Sequence, residues 1–299
     1  MCDDGGHDHG AIPALQPGGT RIVVVGKGGV GKTTLAALLS RVIARAGAAV
    51  IAVDADEQRN LAVTLGIPPA EAAAIVPVSR ADDYVEEKTG ARPGEGAGGM
   101  LRLNPDTRDV VDRLSVAAPD DIRLVVMGGV QRAGGGCLCP ENAVMASVLA
   151  DMRLRPDDVV VMDTHAGVEH FGRALAKGFD IGVVVVEPSY NSVAVGLETA
   201  RLAADLGITN QHLVVNRANG AADKDRVLDL VEQLGGRAFA SVHTVPADAA
   251  VQLSEPSVED LLAGGPVLDA VAHLAAHLVG GHHHQHEHHH HHEPALLEV

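Results

Sequence analysis

The chain has no tryptophan, and its aromatics amount to 2% of residues. Its core must therefore be packed from aliphatic side chains, and a hydrophobic fraction of 46% over 299 residues is ample for that. Cysteine is nearly as scarce: Cys2, Cys137 and Cys139 are the only three. Three thiols make no disulfide framework, which fits a reducing cytoplasm. Positive charge is in deficit, with 23 Lys and Arg against 39 Asp and Glu and a formal net charge of −16. Such a surface repels nucleic acid and anionic lipid, so neither is expected as a partner. The N-terminus has no basic segment leading into an apolar run, so no signal peptide is expected. No apolar run reaches the roughly 18 residues of a membrane span.

What is present is an alternation. Short β-branched runs at Arg21–Val25, Ala49–Val53, Ile122–Met127, Val159–Met162, Ile181–Val186 and His212–Val215 have the continuous apolar character of buried parallel strands. Helix-like stretches lie between several of them, at Lys32–Ala46, Glu141–Met152, Ser192–Leu206 and Asp223–Leu234. The pattern predicts an α/β fold, a mostly parallel sheet with helices on both faces. The charged, Gly-rich segment from Asp82 to Asn104 reads as an ordered insertion or a flexible loop rather than core. No internal repeat is present. The expected organisation is a flexible arm over 1–19, one globular domain over 20–279 and a flexible His-rich tail over 280–299.

The first strand runs into Gly26-Lys27-Gly28-Gly29-Val30-Gly31-Lys32-Thr33-Thr34, which satisfies G-x-x-x-x-G-K-[ST]. Glycines let backbone N–H groups turn inward around phosphates, and the following helix N-terminus adds a favourable dipole. Lys32 should reach the β- and γ-phosphates of ATP, and Thr33 should ligate Mg²⁺. Asp163, which ends the apolar run VVVMD, fits a Walker B acid holding Mg²⁺ through water. Lys27, a second lysine at the start of the loop, resembles the deviant Walker A group of ParA, MinD, the nitrogenase iron protein and the arsenite-pump ATPase. That resemblance implies a homodimer in which Lys27 reaches the partner's nucleotide. It also implies that Asp56 orients the attacking water and that Asp54 sits close to the Mg²⁺ shell. Asn216, with Arg217 beside it, matches the base-contacting position of the group. Pro246 and Asp248, after the next strand, are placed to flank the base.

The second specific feature is Gly134-Gly135-Gly136-Cys137-Leu138-Cys139-Pro140-Glu141-Asn142. In an extended chain residues i and i+2 point to one side, so two thiolates can meet one metal ion. A disulfide at this spacing would be strained. Two ligands leave a soft ion short of its usual four, and a twofold axis beside the loop would supply the other pair. The alternative is two buried structural cysteines in a Gly-rich turn.

Here the chain resembles the CooC family, nickel-inserting ATPases that mature carbon monoxide dehydrogenase. The matching runs include GKGGVGKTT, VDADEQRNL, LRLNPD, VMGGVQRAGGGCLCPENA, DTHAGVEHFGRA and VVNRAN, in order, over most of residues 21–220. The resemblance implies nickel, or zinc in its place, held by Cys137 and Cys139 of both subunits. It also implies that ATP turnover is coupled to delivery to the apo client enzyme. His165, Glu169 and His170 read as switch elements rather than ligands.

Beyond the domain, His282, His283, His284, His286, His288, His289, His290, His291 and His292 could buffer Ni²⁺ weakly, since imidazole is a good ligand for such ions. A purification tag is the competing reading, against which stand the breaks at Gln285 and Glu287 and the trailing EPALLEV. Cys2, His7 and His9 could form a smaller site. Other functional readings remain open: a nickel maturation ATPase for acetyl-CoA synthase, a partitioning ATPase of the MinD and ParA type, or an iron–sulfur protein with its cluster at the dimer axis.

Overall fold

The computed structural model describes residues 19–92, 101–128, 139–151, 158–165, 178–236 and 238–280. Eight strands form one sheet: β1 (Thr20–Gly26), β2 (Ala49–Ala55), β3 (Val116–Ala118), β4 (Ile122–Val126), β5 (Asp158–Thr164), β6 (Ile181–Val186), β7 (Asn210–Ala218) and β8 (Ser241–Pro246). Their spatial order is β3-β4-β2-β5-β1-β6-β7-β8. Every pairing is parallel except β3 with β4. The α-helices in chain order are α1 (Lys32–Arg45), α2 (Leu61–Leu65), α3 (Pro69–Ala74), α4 (Asp82–Thr89), α5 (Val110–Leu114), α6 (Cys139–Asp151), α7 (Tyr190–Asp205), α8 (Ala221–Gln233), α9 (Ala249–Leu253) and α10 (Pro266–Gly280).

The pleat divides the sheet into two cores. Ile22 and Val24 of β1 face one side and pack with Leu35, Leu38 and Leu39 of α1, Leu61 of α2, and Val271 and Leu274 of α10. Val23 and Val25 face the other side, with Val144 and Val148 of α6, Val193 of α7 and Val227 of α8. Both faces are covered, so the middles of the central strands are runs of apolar residues, and polar side chains enter only toward their ends. The expected α/β architecture is therefore the observed one.

Some bounds differ from the expectation, each for a physical reason. The segment beginning at Asp82 is not all loop. Its first eight residues form α4, whose Tyr84 and Val85 are buried in the second core. Its charged residues are on the outside: Glu86 and Glu87 are exposed, and Arg92 and Arg113 pair with them. The short antiparallel β3 and the half-buried edge strand β8 lack the apolar continuity of the inner strands. The arm at 1–18, the loop carrying Cys137, the segment with Glu169 and His170 and the tail from 281 lie outside the described residues.

Candidate functional site

Parallel strands gather their C-terminal ends along one edge of the sheet, and β1, β2, β5 and β7 deliver polar residues there. The loop between β1 and α1 begins at Gly26, where a Cβ would lie 2.3 Å from the Val185 carbonyl oxygen. It closes at Gly31 (φ +92), which caps α1 in the left-handed region. A Cβ on Gly31 would come within 2.5 Å of Asn216 Nδ2. Both positions therefore require glycine. Lys27, Gly28 and Gly29 are exposed, and Val30 is buried beneath them.

Lys32, in the first turn of α1, is only 6% exposed. Its Nζ donates to the Lys27 carbonyl oxygen at 3.1 Å, folding the side chain back along the loop. Burial lowers its pKa, while Asp163 and Asp56 hold the ammonium charged. Thr33 Oγ1 donates to Asp163 Oδ2 at 2.6 Å. Asp163 is on β5, directly paired in register with Asp54 of β2, and both are fully buried. Asp54 accepts from the backbone N–H of Asp56 and of Leu61, each at 3.1 Å. Those bonds shape the turn that presents Asp56 partly exposed at the rim, where its Oδ1 accepts from Gln58 N–H at 2.8 Å. Burial, reinforced by the Asp163 carboxylate, pushes Asp54 up to about 7. Burial likewise pushes Asp163 up to about 6, against the pull of the Thr33 hydroxyl and the Lys32 ammonium. Asp163 Oδ1 has no hydrogen-bond partner among the described residues. Two buried carboxyls, an adjacent hydroxyl and an unmatched carboxylate oxygen form a hard, all-oxygen donor set, which fits Mg²⁺.

On the other side of the loop, Asn216 Nδ2 donates to the Val30 carbonyl oxygen at 2.7 Å, tying β7 to the phosphate loop. A cleft of ≈ 330 Å³ opens beside it, lined by Gly31, Thr34, Asn216, Arg217, Pro246 and Asp248 among others. Arg217 (φ +55) is an exposed residue paired with Glu187. Asp248 caps α9 by accepting from Ala250 N–H at 2.9 Å. The expected loop, acid and base-side residues thus converge on one edge. Thr34, Asn216, Pro246 and Asp248 line the cleft, whose walls are mixed polar and apolar, and Lys32, Thr33, Asp54 and Asp163 lie on the sheet side of the loop. Cys139 opens α6, while Cys137 and the histidines from His282 onward lie outside the described residues.

In the sequence Glu141 stands in the Cys-x-Cys stretch and opens the helix-like run Glu141–Met152, with nothing beyond that place to mark it as a site residue. It stands two residues after Cys139, is 1% exposed, and neither carboxylate oxygen has a hydrogen-bond partner among the described residues. The sequence signal is its place in the first turn of α6, directly after Cys139 and Pro140.

Comparison with known proteins agrees with this geometry. Residues 22–271 match the family model described as the CobQ/CobB/MinD/ParA nucleotide binding domain. An uncharacterised ATP-binding protein of Methanocaldococcus jannaschii is 37% identical over 79% of this chain and 88% of its own length. The carbon monoxide dehydrogenase accessory protein CooC of Rhodospirillum rubrum is 35% identical over 79% of this chain and 86% of its own. Among solved structures, the cell-division protein MinD of Aquifex aeolicus in complex with MinC superposes with a TM-score of 0.60 at 20% identity, covering 94% of this chain and 98% of that one. MinD of Pyrococcus horikoshii with Mg-ADP also gives 0.60, at 15% identity, covering 86% and 94%. These structural likenesses establish the fold.

Proposed function

The chain belongs to the CobQ/CobB/MinD/ParA nucleotide-binding family and, within it, to the CooC family; it is a P-loop ATPase, and we propose that it works as a homodimeric, Mg²⁺-ATP-dependent factor that inserts nickel into carbon monoxide dehydrogenase. The observation that carries the maturation role is the 35% identity, over 79% of the chain, to a carbon monoxide dehydrogenase accessory protein. The Cys137-Leu138-Cys139 spacing supports metal as the cargo, since two thiolates on one side of an extended segment suit a soft or borderline ion.

The chemistry follows from the residues. Phosphoryl transfer to water needs positioning and charge neutralisation more than covalent help. Lys32 is a desolvated ammonium at the helix start, where its charge counts for more than in water. The reaction would draw on Mg²⁺ to offset the charge that develops on the phosphate oxygens. Thr33, Asp163 and Asp54 are the groups that would hold it. Asp56, partly exposed at the rim and oriented by the turn below it, is positioned to hold the attacking water. Lys27, exposed on the loop, is available to a second subunit's nucleotide. In this reading the paired Cys137 and Cys139 of two subunits form one tight Ni²⁺ or Zn²⁺ site, which ATP turnover opens toward the client. The histidine tail acts as a weak nickel store, and the reducing cytoplasm keeps the thiols ligand-ready.

Equilibrium dialysis with Ni²⁺ tests the reading. One tightly held ion per two chains is expected, lost in Cys137→Ser/Cys139→Ser and retained when residues 280–299 are removed. Tight binding that survives the double substitution would contradict it.

A further inference from the structure

Three histidines far apart in sequence meet at the end of the sheet opposite the phosphate loop. His212 is the third residue of β7, His243 the third of β8, and His277 lies in the last turn of α10. Parallel pairing sets His212 beside Ser241 and His243 beside Val214, and α10 packs against β8. One ring nitrogen of each histidine lies within 4.8 Å of the others. Ring centroids are 5.5 Å apart for His212 and His277, and 5.2 Å for His243 and His277. This is the only cluster of three or more His, Cys, Asp or Glu groups with that spacing among the described residues.

From this convergence we propose that His212, His243 and His277 form a second metal site, for a divalent transition ion such as Zn²⁺ or Ni²⁺, separate from the Cys137/Cys139 pair. Three imidazoles and no carboxylate make a neutral nitrogen set, which suits zinc, nickel or copper and disfavours Mg²⁺ and Ca²⁺. Zinc–nitrogen bonds of about 2.0–2.1 Å place tetrahedral nitrogens roughly 3.3 Å apart. The trio has to contract modestly. His277 can supply the movement because it is exposed at the end of α10, while the buried His212 and half-buried His243 are fixed on paired strands. A fourth position, facing solvent beside His277, is left for water or an incoming ligand.

Ser241 completes the arrangement. Its Oγ lies 2.7 Å from His212 Nδ1 and 2.6 Å from His243 Nε2. A hydroxyl has two lone pairs, so in the loaded site it can accept from both rings, fixing their tautomers as the outer partners of metal-bound histidines do. The surroundings favour the neutral form of His243: burial, then His277, His273 and Lys224, push it down to about 4. In sequence, α10 ends at Gly280, two residues before the histidine run begins at His282. The site therefore stands at the root of the tail, at the far end of β7 from Asn216. Asn216 lies four residue steps along the strand from His212, roughly 13 Å.

An ion here ties β7, β8 and α10 together, so it binds the folded chain alone, whereas ions on the tail do not change folding. Full-length protein is titrated with Zn²⁺ while its melting temperature is followed. A rise of about 5 °C is expected at Zn²⁺ a hundredfold above Kd. His277→Ala should weaken the ion by about 100-fold or more, reducing the shift in the parent and removing it in the Cys137→Ser/Cys139→Ser background, and Ser241→Ala should weaken it by about 10- to 100-fold. His273→Ala and Cys137→Ser/Cys139→Ser should leave the shift in place. His277 is exposed, so its loss leaves a folded protein in which the test can be read. Co²⁺ added to the cysteine variant should give a visible band without thiolate charge transfer, absent in the same chain with His277→Ala. Three outcomes would overturn the proposal: no shift in the parent, an unchanged shift in His277→Ala, or a shift lost with the cysteines. The last would leave the cysteine-site reading of the function intact.

Discussion

Asp54 and Asp163 face each other across the β2–β5 pairing, both buried, with the Lys32 ammonium as the cation beside them, and this has a consequence for stability. Both carboxyls have folded-state pKa values raised from 3.8, to about 7 and about 6. A group whose pKa is raised on folding contributes fully at low pH and loses its contribution as pH rises through the folded value. Without Mg²⁺ and nucleotide, the protein should therefore weaken between pH 4 and pH 7 to 8. Every tenfold change in a proton affinity corresponds to about 1.4 kcal/mol. The repulsion between the two carboxylates is one interaction shared by both, so the combined loss is on the order of 4 kcal/mol, less than the two groups would give if they titrated independently. A Mg²⁺ ion at the pair restores the balance, so its stabilising effect should grow over the same interval. Urea denaturation at pH 5 and pH 8, in chelator and again with Mg²⁺ and a non-hydrolysable ATP analogue, measures both effects. In Asp54→Asn the loss between pH 5 and 8 should shrink by roughly half, whatever the absolute stability of the variant. Identical pH dependence in parent and variant would refute the reasoning.

Other substitutions test separate parts of the structure. Gly31→Ala forces φ +92 on a residue with a Cβ and drives it against Asn216, so nucleotide affinity, followed by titration calorimetry, should fall at least about tenfold with a loss of roughly 1–2 kcal/mol in stability. Lys32→Ala should abolish Mg²⁺-dependent ATP hydrolysis and Asp56→Ala should lower kcat by about 100-fold with little change in ATP affinity, as a phosphate-release assay would show. Arg41, 2% exposed, bonds the Leu65 carbonyl oxygen at 2.7 Å and pairs with Asp120 and Glu259, so Arg41→Ala should cost about 3 kcal/mol in chemical denaturation. Lys27→Ala should impair ATP-dependent dimerisation, measured by light scattering, more than ATP binding to one subunit.

The inner strands were legible because burial on both faces makes their middles apolar: Ile181–Val186 is the whole of β6, Ile122–Met127 overran β4 by one residue, and the other runs fell short by one to three residues at one or both ends. Those end residues, such as Asp54 and Asp163, are polar because the strand tips form the site, so apolar continuity stops just before the chemistry begins. The phosphate loop was legible in full, since its glycines, lysine and threonine serve a local backbone shape. Helix α4 was obscured by its many charges. Only Tyr84, Val85 and Thr89 turn inward, too few for a clear helical stripe in a segment that continues into glycines. The histidine trio had no sequence signal at all. Its members are 31 and 34 residues apart, and only the pairing of β7 with β8 and the packing of α10 bring them together.

The central claim is that ATP turnover at the phosphate loop drives nickel from the cysteine pair into a client enzyme. Its most direct test adds the purified protein, loaded with Ni²⁺, to nickel-free carbon monoxide dehydrogenase with Mg²⁺ and ATP, and follows carbon monoxide oxidation. The account predicts activation that requires ATP and is lost in both Lys32→Ala and Cys137→Ser/Cys139→Ser. Activation at the same rate by either variant, or by the parent without ATP, would contradict it.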